Sequence, residues 1–323
     1  MKKILLILLV SIGIFSCSTS NDPIAETNNP PKEYTVSLGF SGEITSIEDS
    51  PLTKATTTNL YGIQVYSTPS TGGEYKPYAY GLYDDISSIS IKLLEGYKYK
   101  FACTMVVDGK NRISTWEEGY YEPFSVNGVT KLENKFIYSN KEMTYIDNGY
   151  AYLKNNVYWV PNIDRYYGEY TDYIPKEDKT IAIEMKRISF GAKFITEGLT
   201  EGAINITIKD APQQTIKYGE TTEIENIFTF KNSYPYGNTW TQDTYTETIP
   251  ISISWTKADG AVVPLVTQDI TFTRNMLTTI TVKVKDSSLS NGLSVSQESA
   301  EMGNGGSVVI DTSNSTDTPV NPS

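Results

Sequence analysis

Apolar and polar residues alternate one for one along most of this chain. The runs are YTVSLGF (34–40), LYGIQVY (60–66), SISIKLL (88–94), YKYKFACTMVV (97–107), KFIYS (135–139), TIAIEMK (180–186), ISFGAKFI (188–195), AINITIK (203–209), IFTF (227–230), IPISISW (249–255), DITFTR (269–274) and TITVKVK (279–285). A period of two sends successive side chains to opposite faces of an extended strand, so each run predicts a strand with one dry and one wet face. Turn residues in STPSTGGE, LEGY, VDGK, TEG and KADGA separate the runs. No apolar stripe of helical period reaches comparable length; a short helix between 140 and 160 is the best candidate. Many short alternating strands joined by turns predict an all-β protein built of antiparallel sandwiches.

Chain length makes that plural. The 323 residues exceed most single cores, so two domains are expected. The segment IDRYYGEYTDYIPKEDK (163–179) lacks periodicity and precedes a fresh set of strands. It places the division near residue 180, with one sandwich over 34–180 and a second over 181–286. From 287 to 323 the composition turns to Ser, Asn, Gly and Thr, with LSVS (293–296) and SVVI (307–310) as apolar islands. Such a tail can pair in extended form but cannot build a core.

The start of the chain has a different pattern. Lys2 and Lys3 precede an apolar run from Ile4 to Phe15, followed by Ser16 and Cys17. The run is shorter than the ~20 residues of a membrane-spanning helix and reads as a signal segment over 1–17. A Cys directly after the apolar region and a small residue is the arrangement that bacterial lipoprotein processing acylates, so Cys17 is the expected lipid carrier. Several acyl chains on one residue would hold the protein stably on a membrane. Residues 18–33 are polar and Pro-rich, a flexible tether.

Charge and residue usage narrow the chemistry. The formal charge of −11 becomes −13 once Lys2 and Lys3 are removed, which argues against nucleic acid or an anionic lipid surface as partner. The chain has no histidine, so it lacks the commonest general base, nucleophile activator and metal ligand. Cys103 is the one cysteine left beside Cys17. It shares a strand face with Tyr97, Tyr99, Phe101 and Met105 and reads as a buried filler. Glu117 and Glu118, beside Trp116, point to opposite faces of an extended strand and are poorly placed to flank one glycosidic bond. Asp84 and Asp85 read as turn residues, since no loop of alternating ligands around a central Gly surrounds them. Tyr166, Tyr167, Tyr170 and Tyr173 form either a sugar-stacking platform or an interdomain packing surface. Nothing in the chain calls for a cofactor, and no enzymatic activity is expected.

Several strands in their order resemble a known family. MKRISFGAKFITEGLTEGAINITIKDAP (185–212), DITFTRNMLTTITVKVK (269–285), and YGIQVY followed by YAYGLYDD and LLEGYKYKF (61–101), together with the lipobox, are similar to the fimbrillin-like lipoproteins of Bacteroidales, the subunits of type V pili. The resemblance implies two transthyretin-like, immunoglobulin-like β-sandwiches, exported as a lipoprotein and supporting adhesion as part of a fimbria. It implies a cut by a trypsin-like protease after the first strand, whose place is then filled by a strand of another subunit, in a homo- or hetero-polymer. That family is cut after Arg; the matching position here is Lys54, before Ala55. Read by itself, Lys54 is equally a solvated loop lysine.

The strand that would leave is 34–40, with Tyr34, Val36, Leu38 and Phe40 on one side. Four buried side chains of this kind are worth about 6 to 12 kcal/mol at most, against about 5 to 15 kcal/mol for a whole domain. Loss without replacement would leave the first sandwich near unfolding, with a groove open to strand addition. Leu293 and Val295, or Val308 and Ile310, alternate as a donor strand must. Two other readings remain: a permanently lipidated pilus anchor that keeps its first strand, and a glycan-binding outer-membrane lipoprotein with a host protein or glycan as partner.

Overall fold

A computed structural model describes residues 30–44, 59–112, 132–143, 153–154, 157–158, 163–209, 211–230, 241–284 and 293–302. The chain from Lys32 onward is one compact unit. It is all-β, and two hydrophobic cores lie in it in sequence order.

The first core belongs to an eight-stranded sheet, ordered β4-β1-β10-β9-β5-β2-β3-β6. Its strands are β1 (Glu33–Gly42), β2 (Leu60–Pro69), β3 (Lys76–Tyr83), β4 (Ser90–Leu94), β5 (Tyr97–Val106), β6 (Ile137–Tyr138), β9 (Arg165–Tyr173) and β10 (Lys179–Arg187). One buried cluster joins Val36 and Leu38 of β1, Ile91 and Leu93 of β4 and Ile181, Ile183 and Met185 of β10 to Ile63 and Val65 of β2 and Phe101, Cys103 and Met105 of β5. Burial from both ends of the strand order requires the sheet to fold back on itself, β4-β1-β10 facing β5-β2-β3. Tyrosine hydroxyls tie the two layers together: Tyr78 donates to the Lys92 carbonyl at 3.1 Å and Tyr99 accepts from the Leu94 amide at 2.8 Å.

The second core lies between two four-stranded sheets, β14-β11-β17-β18 and β13-β12-β15-β16. These strands are β11 (Ser189–Glu197), β12 (Ala203–Ile208), β13 (Gln214–Lys217), β14 (Glu223–Thr229), β15 (Thr246–Thr256), β16 (Val262–Thr273), β17 (Met276–Val284) and β18 (Leu293–Glu301). At its centre Phe190 stacks on Phe272 at 4.3 Å and on Phe228 at 5.6 Å. The alternation in TITVKVK is realised in β17, where Ile280 and Val282 are fully buried.

The structure departs from the sequence expectations in two places and adds a strand in a third. Pairing is not antiparallel throughout: β1 runs parallel to β10, and β11 parallel to β17. The aperiodic Tyr-rich segment 163–179 holds β9; Arg165, Tyr166, Tyr167 and Gly168 are all buried, and burial on both faces erases the alternation that betrays a half-buried strand. In the described part of 140–160 there is no helix but a pair of two-residue strands, β7 (Leu153–Lys154) and β8 (Val157–Tyr158). β10 pairs with β1 in the first sheet, and Phe190 belongs to the second core.

Candidate functional site

The site is the place occupied by β1. Its first half pairs antiparallel with β4, from Glu33 opposite Leu94 to Ser37 opposite Ser90, and its second half pairs parallel with β10, from Val36 opposite Lys179 to Gly42 opposite Met185. β1 is thus an inner strand, and taking it away would bare one backbone edge on each side. Tyr34, Val36 and Leu38 point inward and are buried, and Phe40 is half-buried, stacked on Tyr61 at 5.4 Å with the rings 5° apart. Side-chain and backbone bonds beyond the ladder hold its start. The Lys32 carbonyl accepts from the Glu95 amide at 2.8 Å, and the Thr35 amide donates to Asp178 Oδ1 at 2.8 Å.

Glycine ends the strand for a steric reason. Gly42 has φ of 83°, and a Cβ there would lie 2.9 Å from the Met185 carbonyl oxygen. The turn this allows presents Glu43 to the junction between the two cores. Glu43 donates its amide to the Met185 carbonyl at 3.0 Å, and its Oε2 accepts from the Arg187 amide at 2.6 Å.

Both carboxylate oxygens of Glu43 also meet Arg274. Nη1 of Arg274 donates to Oε2 at 2.7 Å and Nη2 to Oε1 at 3.0 Å. This forked geometry is the strongest form of the arginine–carboxylate pair. Arg274 sits in the turn between β16 and β17, where Asn275 takes φ of 56°, an angle asparagine tolerates better than most residues. Its side chain is 3% exposed, against 24% for Glu43. Nη1 donates further to the Arg187 carbonyl at 2.8 Å, Nε to the Gln242 carbonyl at 3.0 Å and Nη2 to Asp243 Oδ1 at 2.7 Å. A parallel pair lies beside it: Arg187 grips Asp164 with Nε at 2.8 Å and Nη2 at 2.6 Å, and Ser189 Oγ donates to the same carboxylate at 2.9 Å. Burial alone would favour a neutral Arg187, but the Asp164 charge and hydrogen bonds outweigh it and hold its pKa above the ordinary value.

The other sequence candidates are placed as follows. Cys17, Lys54, Ala55, Val308 and Ile310 lie outside the described residues, as do Trp116, Glu117 and Glu118. Leu293 and Val295 are in β18, an edge strand in register with β17 through Val284 and Val282. Tyr166, Tyr167 and Tyr173 are buried and Tyr170 is partly exposed, so three of the four rings pack inside the protein and cannot stack on a sugar. Burial, and secondarily the Asp164 charge, push the Tyr166 hydroxyl pKa up. Cys103 is fully buried, and desolvation raises its thiol pKa, the opposite of what a nucleophile needs. Asp84 accepts from Lys110 Nζ and Asn134 Nδ2, both at 2.6 Å, while Asp85 accepts from the Ser87 amide at 2.9 Å; both serve their turn.

Glu43, Arg274, Arg187 and Asp164 were not singled out from the sequence. Glu43 and Arg274 are 231 positions apart, a separation that no local pattern encodes. The one visible cue was an Arg-Asn pair between two alternating runs, ITFT and TITV, which marks a turn but names no partner.

No family model matches this chain, and no curated protein matches it in sequence. Solved structures to which it is similar include the fimbrial anchor protein Mfa2 of Porphyromonas gingivalis, at 10% identity over 87% of this chain and 99% of that one, with a TM-score of 0.41. The tip fimbrial protein Mfa3 of the same organism, with a C-terminal truncation, is 10% identical over 84% of this chain and 100% of that one, with a TM-score of 0.35. A fimbrial assembly protein of Parabacteroides distasonis is 10% identical over 83% and 95%, with a TM-score of 0.33.

Proposed function

We propose that the protein is a subunit of a cell-surface fimbria, exported as a lipoprotein on Cys17 and polymerised after β1 is cut free and replaced by a strand from another subunit. What supports this reading is the position of β1: an inner strand, between β4 and β10, with Tyr34, Val36 and Leu38 buried. An edge strand that left would expose one backbone edge; an inner strand leaves two, with a row of apolar pockets between them, and that is the template for strand addition. In this reading the cut falls between Lys54 and Ala55, and the donor is the segment around Leu293 and Val295 or that around Val308 and Ile310. The subunit acts by assembly and adhesion rather than catalysis.

Brief treatment of the purified chain with a trypsin-like protease tests it. The expected result is a ladder of oligomers on mild-detergent gels and a new amino terminus at Ala55, both abolished by Lys54→Gln. Clean cleavage at Lys54 that leaves only monomer would overturn the reading. A mature chain from the native cell surface that still begins at lipidated Cys17 would indicate the permanently anchored form.

A further inference from the structure

Whatever strand fills the place of β1 meets Arg274 at its far end. Glu43 follows β1 by one residue, so a chain cut in 45–58 loses β1 and Glu43 together. Arg274, 3% exposed while Glu43 is in place, stays behind in the β16–β17 turn with its bonds to two carbonyls and to Asp243. The carboxylate that met both of its terminal nitrogens would be gone. The Arg187 amide would lose its acceptor as well. Asp243 is a weak substitute: its side chain is 74% exposed and meets Nη2 alone. A buried guanidinium and a part-buried amide left without their acceptor both carry a desolvation penalty that an incoming carboxylate would relieve.

Resting on the strand-replacement reading above, we infer that Arg274 is a specificity reader: it selects, and sets in register, an incoming strand that carries a carboxylate five residues after the side chain seated in the Leu38 position. The spacing is that of β1, in which Leu38, Phe40 and Glu43 stand at intervals of two and three. Within this chain Leu293, Val295 and Glu298 repeat those intervals, with Gln297 where β1 has Gly42, so that Glu298 would reach Arg274 from an extended strand rather than from the Gly42 turn; Val308 and Ile310 set Ser313 at the corresponding place. The occupant this chemistry fits is therefore the 293–301 segment of a second copy, running in the direction of β1. Period-two alternation alone leaves register open by two residues at a time. A single charged contact at the strand end removes that freedom, because a slipped strand leaves Arg274 facing no acid.

The experiment uses the full chain with a specific-protease site placed within 45–58, cut, and offered fluorescent peptides. The peptides are 289–301, the same with Glu298→Gln, and 33–44 as the self strand. Binding is read by polarisation. The expected result is that 289–301 enters the cut chain, that Glu298→Gln weakens entry about 10- to 100-fold, as loss of a hydrogen-bonded charge pair does, and that a chain with Arg274→Gln no longer tells the two apart. Equal binding of both peptides by the unaltered cut chain overturns the inference while strand replacement stands. Entry of 33–44 without 289–301 overturns the assignment to a second copy. If no peptide enters, 33–44 included, strand replacement itself fails. The peptide substitution leaves the protein untouched, so a folding defect in the Arg274 variant cannot account for its effect.

Discussion

β1 and β11 hold the same place in their two cores but are tied in differently. Each is the first strand of its core, and each lies between one antiparallel and one parallel neighbour, β4 and β10 for β1, β14 and β17 for β11. β11 is bound by the chain on both sides: Ile188 alone separates it from β10, and Gly198–Gly202 lead into β12. β1 is followed by fourteen residues, 45–58, before the described chain resumes at Asn59. The same hydrogen-bonding position is therefore tied into the chain closely on both sides in one core, and in the proposed function it is the strand that leaves in the other. Beside its two backbone ladders, β1 is held at its end by the forked Glu43–Arg274 pair.

The comparison breaks if the two strands respond alike to loss of side chains. Phe194 of β11 is fully buried, and Phe194→Ala should cost about 3 to 5 kcal/mol in denaturant unfolding. Leu38→Ala in β1 should cost about 2 to 4 kcal/mol, and after cleavage in 45–58 it should also speed escape of the β1 fragment, measurable by exchange against labelled 33–44 peptide. A β1 fragment that stays bound through repeated washes in excess peptide would place β1 with β11 as a permanent strand.

Smaller effects sharpen it. Beside β11, Lys193 pairs with Glu223 at 2.9 Å on the surface; beside β1, Glu43 meets a buried arginine. Glu43→Ala should lower stability by about 1 to 3 kcal/mol, since it leaves Arg274 and the Arg187 amide short of an acceptor. Glu223→Ala should cost less than about 1 kcal/mol, as exposed ion pairs do. Thermal melts of both variants in low and high salt check this, the Glu223 effect fading with salt and the Glu43 effect persisting.

The smallest expected effect is one of pH. Hydrogen bonds from Lys110, then from Asn134, hold the Asp84 carboxyl below its usual range. A carboxyl depressed by folding adds stability that is present above its unfolded value, about pH 4, and lost as pH falls through the lower folded value. Acidification from about pH 5 to pH 3 should therefore weaken the first core, and Asp84→Asn should flatten that part of the profile. Denaturant midpoints recorded across the range, with a probe in each core, are the measurement.

The sequence by itself determined the strands that have one wet face. TIAIEMK, AINITIK and TITVKVK were legible because burial on one side alone imposes strict alternation, and the inward set of β1, Tyr34, Val36, Leu38 and Phe40, was legible for the same reason. β9 was not, because its Tyr166 and Tyr167 are buried on both faces and leave no period to read. Neither was the pairing: alternation says which side of a strand is dry but not which strand lies beside it, so the parallel partners β10 and β17 were decided only by how the cores close. The Glu43–Arg274 contact belongs wholly to the tertiary structure. A charge pair is specified by position in space, and residues 231 apart are brought together only once two separate cores have folded around the turn that carries the arginine.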